Sequence, residues 1–508
     1  MKPLKFTEKD RERIAGEGIP MEKIEWQMDL FAHPPRPLRL DRPCTAGDGI
    51  RVLSDSEKTT LHSIYENRAG SLQTVKFVPA SGAASRMFRD WFRDLEDDRF
   101  DGSEEGDRFA RRLPLYPFHD DLLALAGAKG RPLENLVIGK EYREILGLIL
   151  TEKGLDYAHL PKALLKFHTY RDHNRTSLEE HLVEAAGYVC GANNRCALHV
   201  TVSEEHETLV RSLAERVLSR YESRLGVRYD FSLSVQSPST NTIAVTLENE
   251  PFRDDEGTLL FRPGGHGALL PNLNGIDGDL VFIKNIDNVV PDRLKEETIL
   301  YKKILGGFLL AVQDEIFRHL SLLERAEPGE SPLDAAADFC RKTLLTDFPA
   351  AYAAFTPGER KRFLVALLNR PIRVCGMVKN EGEPGGGPFW VIDEDGRRTL
   401  QIVEEAQIDP SSETQARTWK ASTHFNPVDL VCGIRSHRGE KFDLENYVDP
   451  KAVIITKKSH EGRDLKALEI PGLWNGGMAL WNTLFVEVPG VTFNPVKTVF
   501  DLLRPEHR

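Results

Sequence analysis

Apolar runs alternate with charged, helix-like segments over much of this chain. Residues 74–79 (TVKFVP) and 196–203 (CALHVTVS) have the composition of buried strands. The segment from Met87 (MFRDWFRDLEDD) and the charged stretch ending at Arg224 have apolar residues at helical spacing. Strands that alternate with helices in this order predict an α/β fold containing parallel strands.

Further elements extend this pattern. Residues 177–189 (SLEEHLVEAAGYV) predict a helix with Ser177 as N-cap and Glu180 at the capping-box position. Other segments predict helices at 298–323 and 332–368 and strands at 280–286, 373–379, 399–404 and 482–488. The fold class expected is therefore a mixed β-sheet flanked by helices.

The pattern also predicts how the chain divides. Residues 1–70 look helical and amphipathic, broken by a proline-rich stretch at 33–43, and are expected to form a helical N-terminal appendage. Residues 71–508 are expected to form one catalytic domain. It carries helical inserts at about residues 90–156 and 300–368, where charged, helix-prone sequence interrupts the strand–helix alternation.

Charge and cysteine content exclude several classes of protein. The chain has 508 residues and a formal net charge of -11, which argues against a nucleic-acid partner. It has no uninterrupted run of ~20 apolar residues, so a membrane partner is not expected. The six cysteines form no CxxC pair, and the N-terminus shows no signal peptide. Reduced thiols and a cytoplasmic location are therefore predicted.

The clearest candidate for chemistry is the segment 261–292. A glycine-rich turn containing His266 is followed by the apolar strand DLVFIKNI, which ends at Asp287. Backbone without side chains can approach a nucleotide closely, and open α/β sheets bind ligands beyond the carboxyl ends of their strands. A carboxylate there is placed to hold Mg²⁺ against phosphate oxygens. A surface loop in which Asp287 is only a turn residue is the alternative.

Several other residues suit a phosphate or polyol ligand. The loop 80–86 joins a strand to a helix through small residues, and Arg86 could supply a forked cation to phosphate oxygens. Lys162 follows Pro161 before a helix, Lys497 follows a proline turn, and Glu404 closes a strand. Taken singly, the loop is also explained as a tight structural turn and each lysine as a solvated surface residue.

Taken in order, four motifs resemble those of the sugar-phosphate nucleotidyltransferases, and in particular the UDP-sugar pyrophosphorylase branch. The resemblance covers roughly residues 71–503, and the chain is identified as a member of a related family of unassigned function, DUF4301. The motifs are PASGAASRM, Pro161-Lys162 with ALLKFHTY and EEHLVEAA, PGGHG with Asn285-Ile286-Asp287-Asn288, and NPVKTVFDLL.

The resemblance implies a GT-A-like, Rossmann-type mixed sheet and a role for each matching residue. The nucleotide would be bound by Ala80, Ser81, Gly82, Gln236, Gly265 and His266. The phosphates would face Arg86, Lys162 and Lys497, the sugar would meet Asn285 and Glu404, and Asp287 would bind Mg²⁺. The first loop departs from the family, because Ala80-Ser81 replace its usual leading glycines.

The activity implied is Mg²⁺-dependent transfer of a nucleotidyl group from an NTP, UTP by resemblance, to a sugar 1-phosphate with release of pyrophosphate. A glycosyltransferase that uses a sugar nucleotide is one alternative, and a non-catalytic nucleotide or sugar sensor is another. The sequence leaves the sugar and the oligomeric state open.

Overall fold

The chain divides into two units, each built from three separate segments. The computed structural model describes residues 6–82, 84–191, 194–325, 330–382 and 385–508. The first unit comprises Met1–Arg68, Gln236–Phe282 and Ile304–Val488, and the second comprises Ala69–Val235, Ile283–Lys303 and Pro489–Arg508. This division differs from the predicted one, which placed a single boundary near residue 70.

The elements follow one another in a mixed α/β order. The helices are α1 Glu8–Gly16, α2 Met21–Ala32, α3 Asp55–Ala69, α4 Arg89–Glu96, α5 Glu104–Arg112, α6 His119–Ala128, α7 Leu133–Ile138, α8 Tyr142–Leu150, α9 Ser177–Tyr188, α10 Glu207–Leu225, α11 Leu270–Asn274, α12 Asp292–Leu323, α13 Glu330–Lys342, α14 Pro357–Leu368 and α15 Glu413–Lys420. The strands are β1 Arg39–Pro43, β2 Thr45–Ala46, β3 Gly49–Arg51, β4 Thr74–Pro79, β5 Lys166–His168, β6 Arg175–Thr176, β7 Arg195–Val202, β8 Arg228–Val235, β9 Thr242–Ile243, β10 Phe261–Arg262, β11 Leu280–Lys284, β12 Ile372–Lys379, β13 Gly387–Ile392, β14 Arg398–Val403, β15 His424–Gly433, β16 Ile454–His460, β17 Arg463–Glu469 and β18 Asn482–Glu487.

The second unit contains the predicted parallel strands. β4 pairs in parallel with β7, with Val75 opposite Ala197, and β7 pairs in parallel with β8. Helix α9 packs against β7 and α10 packs against β8. Every residue of β4 is buried, as expected for a strand covered on both faces.

The N-cap of α9 is Thr176, so the prediction of Ser177 was wrong by one residue. Thr176 Oγ1 accepts from the N–H of Glu179, and the Glu179 side chain accepts from the N–H of Thr176, which completes a capping box. Both Thr176–Glu179 and Ser177–Glu180 have the required spacing. The second glutamate, Glu180, is used elsewhere, since its carboxylate bonds to His168 and Tyr170.

The expected helical insert is also present in the second unit. Helices α4 to α8 bury a hydrophobic cluster in which the Trp91 ring meets Phe109 and Tyr116 edge-on, at 5.4 and 5.3 Å between ring centroids. The aromatic residues therefore give this segment its own core beside the parallel strands.

The first unit contains a mixed sheet. β12 pairs antiparallel with β15 and parallel with β18, and β18 pairs in parallel with β3. A second sheet, with order β1-β13-β14, is antiparallel. Helices α13 and α14 belong to the same unit, so the predicted class, a mixed sheet flanked by helices, is confirmed.

The N-terminal residues are not purely helical. Besides α1 to α3 they contribute β1, which lies in the proline-rich stretch, and β3, whose Ile50 is opposite Phe485 of β18. Prolines hold the backbone extended rather than helical, which favours a strand at this place. The region therefore supplies strands to the sheets of the first unit.

Two cysteines depart from the prediction of reduced thiols. Cys190 and Cys196 form a disulfide, with their Cα atoms 4.4 Å apart at an isolated antiparallel bridge, whereas Cys44, Cys340, Cys375 and Cys432 are free and buried. Within the described ranges, none of the helices combines the length and the apolar composition that crossing a bilayer requires.

Candidate active site

Asp287 lies three residues beyond Lys284, the last residue of β11, in the second unit. The N–H of Ile286 donates to the carbonyl of Pro79 at 3.2 Å, which fixes the turn to the end of β4. His181 Nε2 lies 3.3 Å from the Ile286 carbonyl on the other side. Ile286 is thus held through both its N–H and its carbonyl. The side chain of the next residue, Asp287, is only 10% exposed.

Two lysines from distant parts of the chain converge on this carboxylate. Lys162 Nζ donates to Asp287 Oδ2 at 2.9 Å, and Lys497 Nζ donates to the same oxygen at 3.0 Å. The Lys162 side chain is 14% exposed and that of Lys497 is 55% exposed. Three of the predicted residues are therefore assembled into one cluster, which we call the Asp287 cluster.

The backbone around Lys162 is fixed by hydrogen bonds. Lys162 opens a 3₁₀ turn, Lys162–Leu164, after Pro161, and its carbonyl accepts from Ser177 Oγ at 2.8 Å. Its Nζ also donates to the carbonyl of Val496 at 2.8 Å, and the N–H of Val496 donates to the carbonyl of Asp287 at 3.0 Å. Ser177, predicted as a helix cap, instead holds the lysine segment in place.

The backbone around Lys497 is held by a capped turn. Asp501 Oδ2 accepts from the N–H of Lys497 at 2.8 Å and from the N–H of Thr498 at 2.7 Å. Thr498 and Asp501 form a capping box for the 3₁₀ turn Val499–Leu503. The late motif NPVKTVFDLL therefore consists of a cation and the carboxylate that fixes its backbone.

Charge in the cluster shifts two pKa values. Burial alone would raise the pKa of Asp287, but the charges and hydrogen bonds of Lys162 and Lys497 outweigh it and hold the pKa below its usual range. Burial lowers the pKa of Lys162, Asp287 opposes this, and the positive charges of Lys497 and Arg86 lower it further. The charge of Arg86 therefore reaches Lys162 of the cluster, in which two lysines share one carboxylate.

The carboxylate retains capacity for a cation. Asp287 Oδ1 is buried and has no hydrogen-bond partner. Among the described residues no group of three or more His, Cys, Asp or Glu side chains could hold a metal. A single carboxylate oxygen fits Mg²⁺, which is commonly held by one or two carboxylates together with substrate phosphates and water.

The first loop differs in detail from the expectation. The N–H of Ala80 donates to Thr201 at 2.8 Å, so it is committed to the sheet. Ser81 is half-buried and Gly82 exposed, whereas Ala83 lies outside the described residues. Arg86 is exposed within a 3₁₀ turn, Ala84–Phe88, and α4 begins only at Arg89. The helix N-terminus, expected at Met87 next to Arg86, is therefore displaced by two residues.

In the first unit, the PGGHG turn is glycine-rich because other backbone passes close to it. A Cβ on Gly264 would lie 2.4 Å from the carbonyl oxygen of Thr240, and one on Gly267 would lie 2.2 Å from that of Pro471. Gly265 has φ +75°, a conformation that favours glycine. The glycines predicted to approach a ligand thus already approach protein backbone.

His266 and Glu404, predicted to contact nucleotide and sugar respectively, touch each other. His266 Nε2 is 3.1 Å from Glu404 Oε1, and Nδ1 accepts from the N–H of Leu473 at 3.0 Å. The ring stacks on Trp474 at 3.9 Å between centroids. Burial would raise the pKa of Glu404, but hydrogen bonds from His266 and Trp474 lower it overall.

Glu404 also lines a cavity of about 720 Å³ within the first unit. The glycines at 385–387 and His424 form part of the same wall. This volume lies within the range of roughly 300–1,000 Å³ that is usual for small-molecule sites.

The surroundings of Gln236 and Asn285 do not indicate a role for either side chain. Gln236 directly follows β8 and Asn285 directly follows β11, and both are half-buried. Within the ranges that the structure describes, neither side chain makes a hydrogen bond, while the Asn285 carbonyl accepts from the N–H of Asn288 at 3.1 Å. Their predicted roles remain predictions.

A buried charge network lies behind the cluster and was not predicted. Lys76, inside β4, and Lys284, the last residue of β11, both bond to Glu184, at 3.0 and 2.7 Å. All three side chains are at most 1% exposed. The signal in the sequence was a lysine interrupting each of two strands, TVKFVP and LVFIK.

Comparison with solved structures returns UDP-sugar pyrophosphorylases. A mutant UDP-glucose pyrophosphorylase of Leishmania major in complex with UDP-glucose is 13% identical, and the match covers 98% of this chain and 79% of that one with a TM-score of 0.45. The UDP-glucose phosphorylase of Trypanosoma brucei is 13% identical, with 97% and 77% covered and a TM-score of 0.45. The uridine diphosphate N-acetylglucosamine pyrophosphorylase of Trypanosoma brucei is 11% identical, with 98% and 79% covered and a TM-score of 0.49.

Comparison with curated proteins finds no match. The model of one family, described as a domain of unknown function (DUF4301), matches residues 7–508. Since that match spans nearly the whole chain, the protein belongs to the DUF4301 family, as the sequence motifs predicted.

Proposed function

We propose that this protein is a nucleotidyltransferase that forms a nucleotide sugar and pyrophosphate from an NTP, UTP in the first instance, and a sugar 1-phosphate. The observation that carries the proposal is the convergence of Lys162 and Lys497 on Asp287. These residues come from three separate motifs of the pyrophosphorylase type, and the distances of 2.9 and 3.0 Å join them in one cluster.

The charge of the cluster supports a phosphate ligand. Lys162 and Lys497 supply two positive charges against the carboxylate of Asp287, and the positive charge of Arg86 acts on Lys162. The excess of positive charge favours a polyanion. Lys497 is more than half exposed, so it can leave Asp287 and bind phosphate without exposing a buried group.

The reaction needs positioning and charge stabilisation rather than a protein nucleophile. A phosphate oxygen of the sugar 1-phosphate attacks the α-phosphorus of the NTP. The new bond joins that oxygen to phosphorus, the bond to the bridging oxygen breaks, and pyrophosphate leaves with the electron pair. Lys162, Lys497 and Arg86 would stabilise the negative charge on the phosphate oxygens.

Asp287 would hold Mg²⁺ through Oδ1, the oxygen that has no hydrogen-bond partner. When bound there, the ion would neutralise phosphate charge that the cations leave uncompensated. Since both lysines use Oδ2, the two oxygens of the carboxylate would divide these tasks.

The first unit would recognise the nucleoside and the sugar. We assign Gln236, Gly265 and His266 to the nucleoside, and Glu404 to the sugar hydroxyls. The cavity of about 720 Å³ beside Glu404 has room for a hexose. In the second unit, Asn285 would contact the sugar, and Ser81 and Gly82 the nucleotide.

Thermal unfolding with each NTP, with and without Mg²⁺, tests nucleotide binding. A ligand at about 100 times its dissociation constant should stabilise the protein by roughly 2.7 kcal/mol. We expect the largest shift of the unfolding midpoint with UTP and Mg²⁺. In Asp287→Asn, the part of this shift that depends on Mg²⁺ should be lost. Failure of every nucleotide to shift the midpoint would overturn the proposal.

A further inference from the structure

A second cavity, in the first unit, is lined by three arginines and lies among elements that the proposed function does not use. It has a volume of about 370 Å³ and is lined by residues of the segments 344–347, 363–370, 393–401 and 479–483. Arg370, Arg397 and Arg398 contribute to its wall together with only two carboxylates, Asp347 and Asp393.

Two of the arginines are neutralised by carboxylates. Arg398 makes a two-pronged contact with Asp347, at 2.8 and 3.3 Å. Arg397 donates to Asp393 at 3.0 Å and to Asp395 at 2.7 Å. Because both guanidinium groups are paired, Arg397 and Arg398 offer little uncompensated positive charge to a ligand. The same ion pairs hold these two groups in place at the cavity wall.

Arg370 differs from its neighbours. Its Nε donates to the carbonyl of Ala366 at 2.9 Å and its Nη1 to that of Leu480 at 3.4 Å. No carboxylate of the described residues pairs with it. Burial lowers the pKa of Arg370, and the positive charge of Arg397 lowers it further. A partly buried cation that faces a second cation lacks the counter-ion that such groups normally have.

The rest of the wall suits a small polar molecule. Gln401 Nε2 donates to the carbonyl of Ala479 at 3.0 Å and to Thr399 Oγ1 at 3.3 Å, which leaves the Gln401 carbonyl and the Thr399 hydroxyl proton for a ligand. Phe363 and Leu400 add apolar surface. A few polar groups on an apolar wall are typical of ligand sites.

One residue of this wall has an unfavourable backbone conformation. Leu345, which lines the cavity, has φ +52°, at a position after α13 where helices usually place glycine or asparagine. Such backbone persists where the surroundings determine it, and it is concentrated at ligand sites.

From the unpaired Arg370, the paired arginines beside it and the volume of the cavity, we infer that this cavity binds a small molecule carrying a phosphate group. The phosphate would provide the counter-ion of Arg370, and the polar body would meet Thr399 and Gln401. This site goes beyond the proposed function, because none of its residues belongs to the Asp287 cluster or to the segment around His266.

The test uses inorganic phosphate as the probe and thermal unfolding as the readout, at constant ionic strength. All measurements start from Lys497→Gln, which weakens phosphate binding at the Asp287 cluster. Phosphate should stabilise this variant. Adding Arg370→Gln should weaken its apparent affinity at least about tenfold, as expected for loss of a charge-assisted hydrogen bond. Adding Arg362→Gln, at an exposed arginine in helix α14, which ends two residues before Arg370, should leave it unchanged.

A second variant tests the same cavity without removing the hydrogen bonds that Arg370 donates to backbone carbonyls. Thr399→Asp places a negative charge at the wall and keeps Arg370 intact, and it should also weaken phosphate binding at least about tenfold. If Arg370→Gln does not fold, this variant decides alone. Unchanged phosphate affinity in Thr399→Asp, or no stabilisation of Lys497→Gln by phosphate, would overturn the inference. Neither result depends on whether the wild-type protein turns over nucleotides.

Discussion

At the scale of single residues, the two carboxylate oxygens of Asp287 have different surroundings. Oδ2 accepts from both lysines and Oδ1 has no partner. In the free protein this arrangement keeps the lysines ordered and compensates the charge of buried Lys162. In the proposed reaction, the more exposed Lys497 would exchange its carboxylate contact for a phosphate contact at little cost in desolvation.

Sequence motifs identified these residues but not all of their neighbours. Lys162, Asp287 and Lys497 could be predicted because each lies in a short motif with a fixed order along the chain. Ser177 was misassigned, because two overlapping capping boxes have the same spacing. The Lys76–Glu184–Lys284 network was missed, because a lysine in an apolar strand is a local signal that does not identify its distant partner in a helix.

The first prediction concerns Lys497. Lys497→Gln should lower kcat/KM for pyrophosphate release at least about a hundredfold, as for removal of one charge-stabilising donor. Its free energy of unfolding should change by less than about 1 kcal/mol, because the side chain is 55% exposed. The matched control is Lys129→Gln, an exposed lysine of the second unit, which should leave both quantities unchanged. A fully active Lys497→Gln protein would remove this lysine from the mechanism.

At the scale of elements, turns and caps rather than helix or strand interiors position the site. The cluster residues follow β11, open the turn Lys162–Leu164, and precede the turn Val499–Leu503. Strand and helix interiors were predicted well, since β4, β7, β12 and β18 lie within two residues of the expected bounds. Turn geometry was predicted less well, as the 3₁₀ turn Ala84–Phe88 before α4 shows.

A second prediction tests the capping of α9. Thr176→Ala removes the acceptor for the N–H of Glu179 and should lower the free energy of unfolding by about 1 kcal/mol. Urea unfolding measures this change. Thr59→Ala, at an exposed position inside α3, serves as control and should stay within about 0.5 kcal/mol of wild type. Equal effects of the two substitutions would show that Thr176 does not cap the helix.

A third prediction tests the close approach at the PGGHG turn. Gly267→Ala would put a Cβ 2.2 Å from the carbonyl oxygen of Pro471, so the backbone must move, at a cost of about 2 kcal/mol or more. Gly127→Ala, in α6, meets no atom within 4 Å and should be neutral or stabilising by up to about 1 kcal/mol. Denaturant unfolding of both variants is the measurement. A harmless Gly267→Ala would mean that the turn is not constrained by Pro471.

At the scale of the whole molecule, each unit is assembled from segments far apart in sequence. β3 and β18 pair within the first unit, and Lys162, Asp287 and Lys497 meet within the second. The α/β class was predictable because each element carries its own periodicity. The division into units was not, because periodicity contains no information about which distant segments pack together.

A fourth prediction uses His507, whose ring pairs with His168 at 2.9 Å in the core of the second unit. Burial, together with the charges of His168 and Arg504, lowers the pKa of His507 from 6.5 to about 3. Between these values the unfolded chain takes up a proton that the folded chain does not. Stability should therefore fall as the pH is lowered below 6.5, with a slope of up to about 1.4 kcal/mol per pH unit from this group.

Urea unfolding between pH 7 and pH 5 measures that slope. His507→Gln should flatten it, whereas His33→Gln, whose imidazole is 69% exposed, should leave it as in wild type. Identical slopes in wild type and His507→Gln would contradict the assignment of a buried, neutral imidazole.

The central claim is nucleotidyl transfer, and direct product analysis tests it best. The protein would be incubated with UTP, Mg²⁺ and a panel of sugar 1-phosphates, and nucleotide sugar and pyrophosphate would be quantified by chromatography and coupled assay. The account predicts equal amounts of both products with at least one sugar, and no formation of either in Asp287→Asn or Lys497→Gln. UTP that binds and is never converted, or that releases inorganic phosphate instead of pyrophosphate, would contradict it.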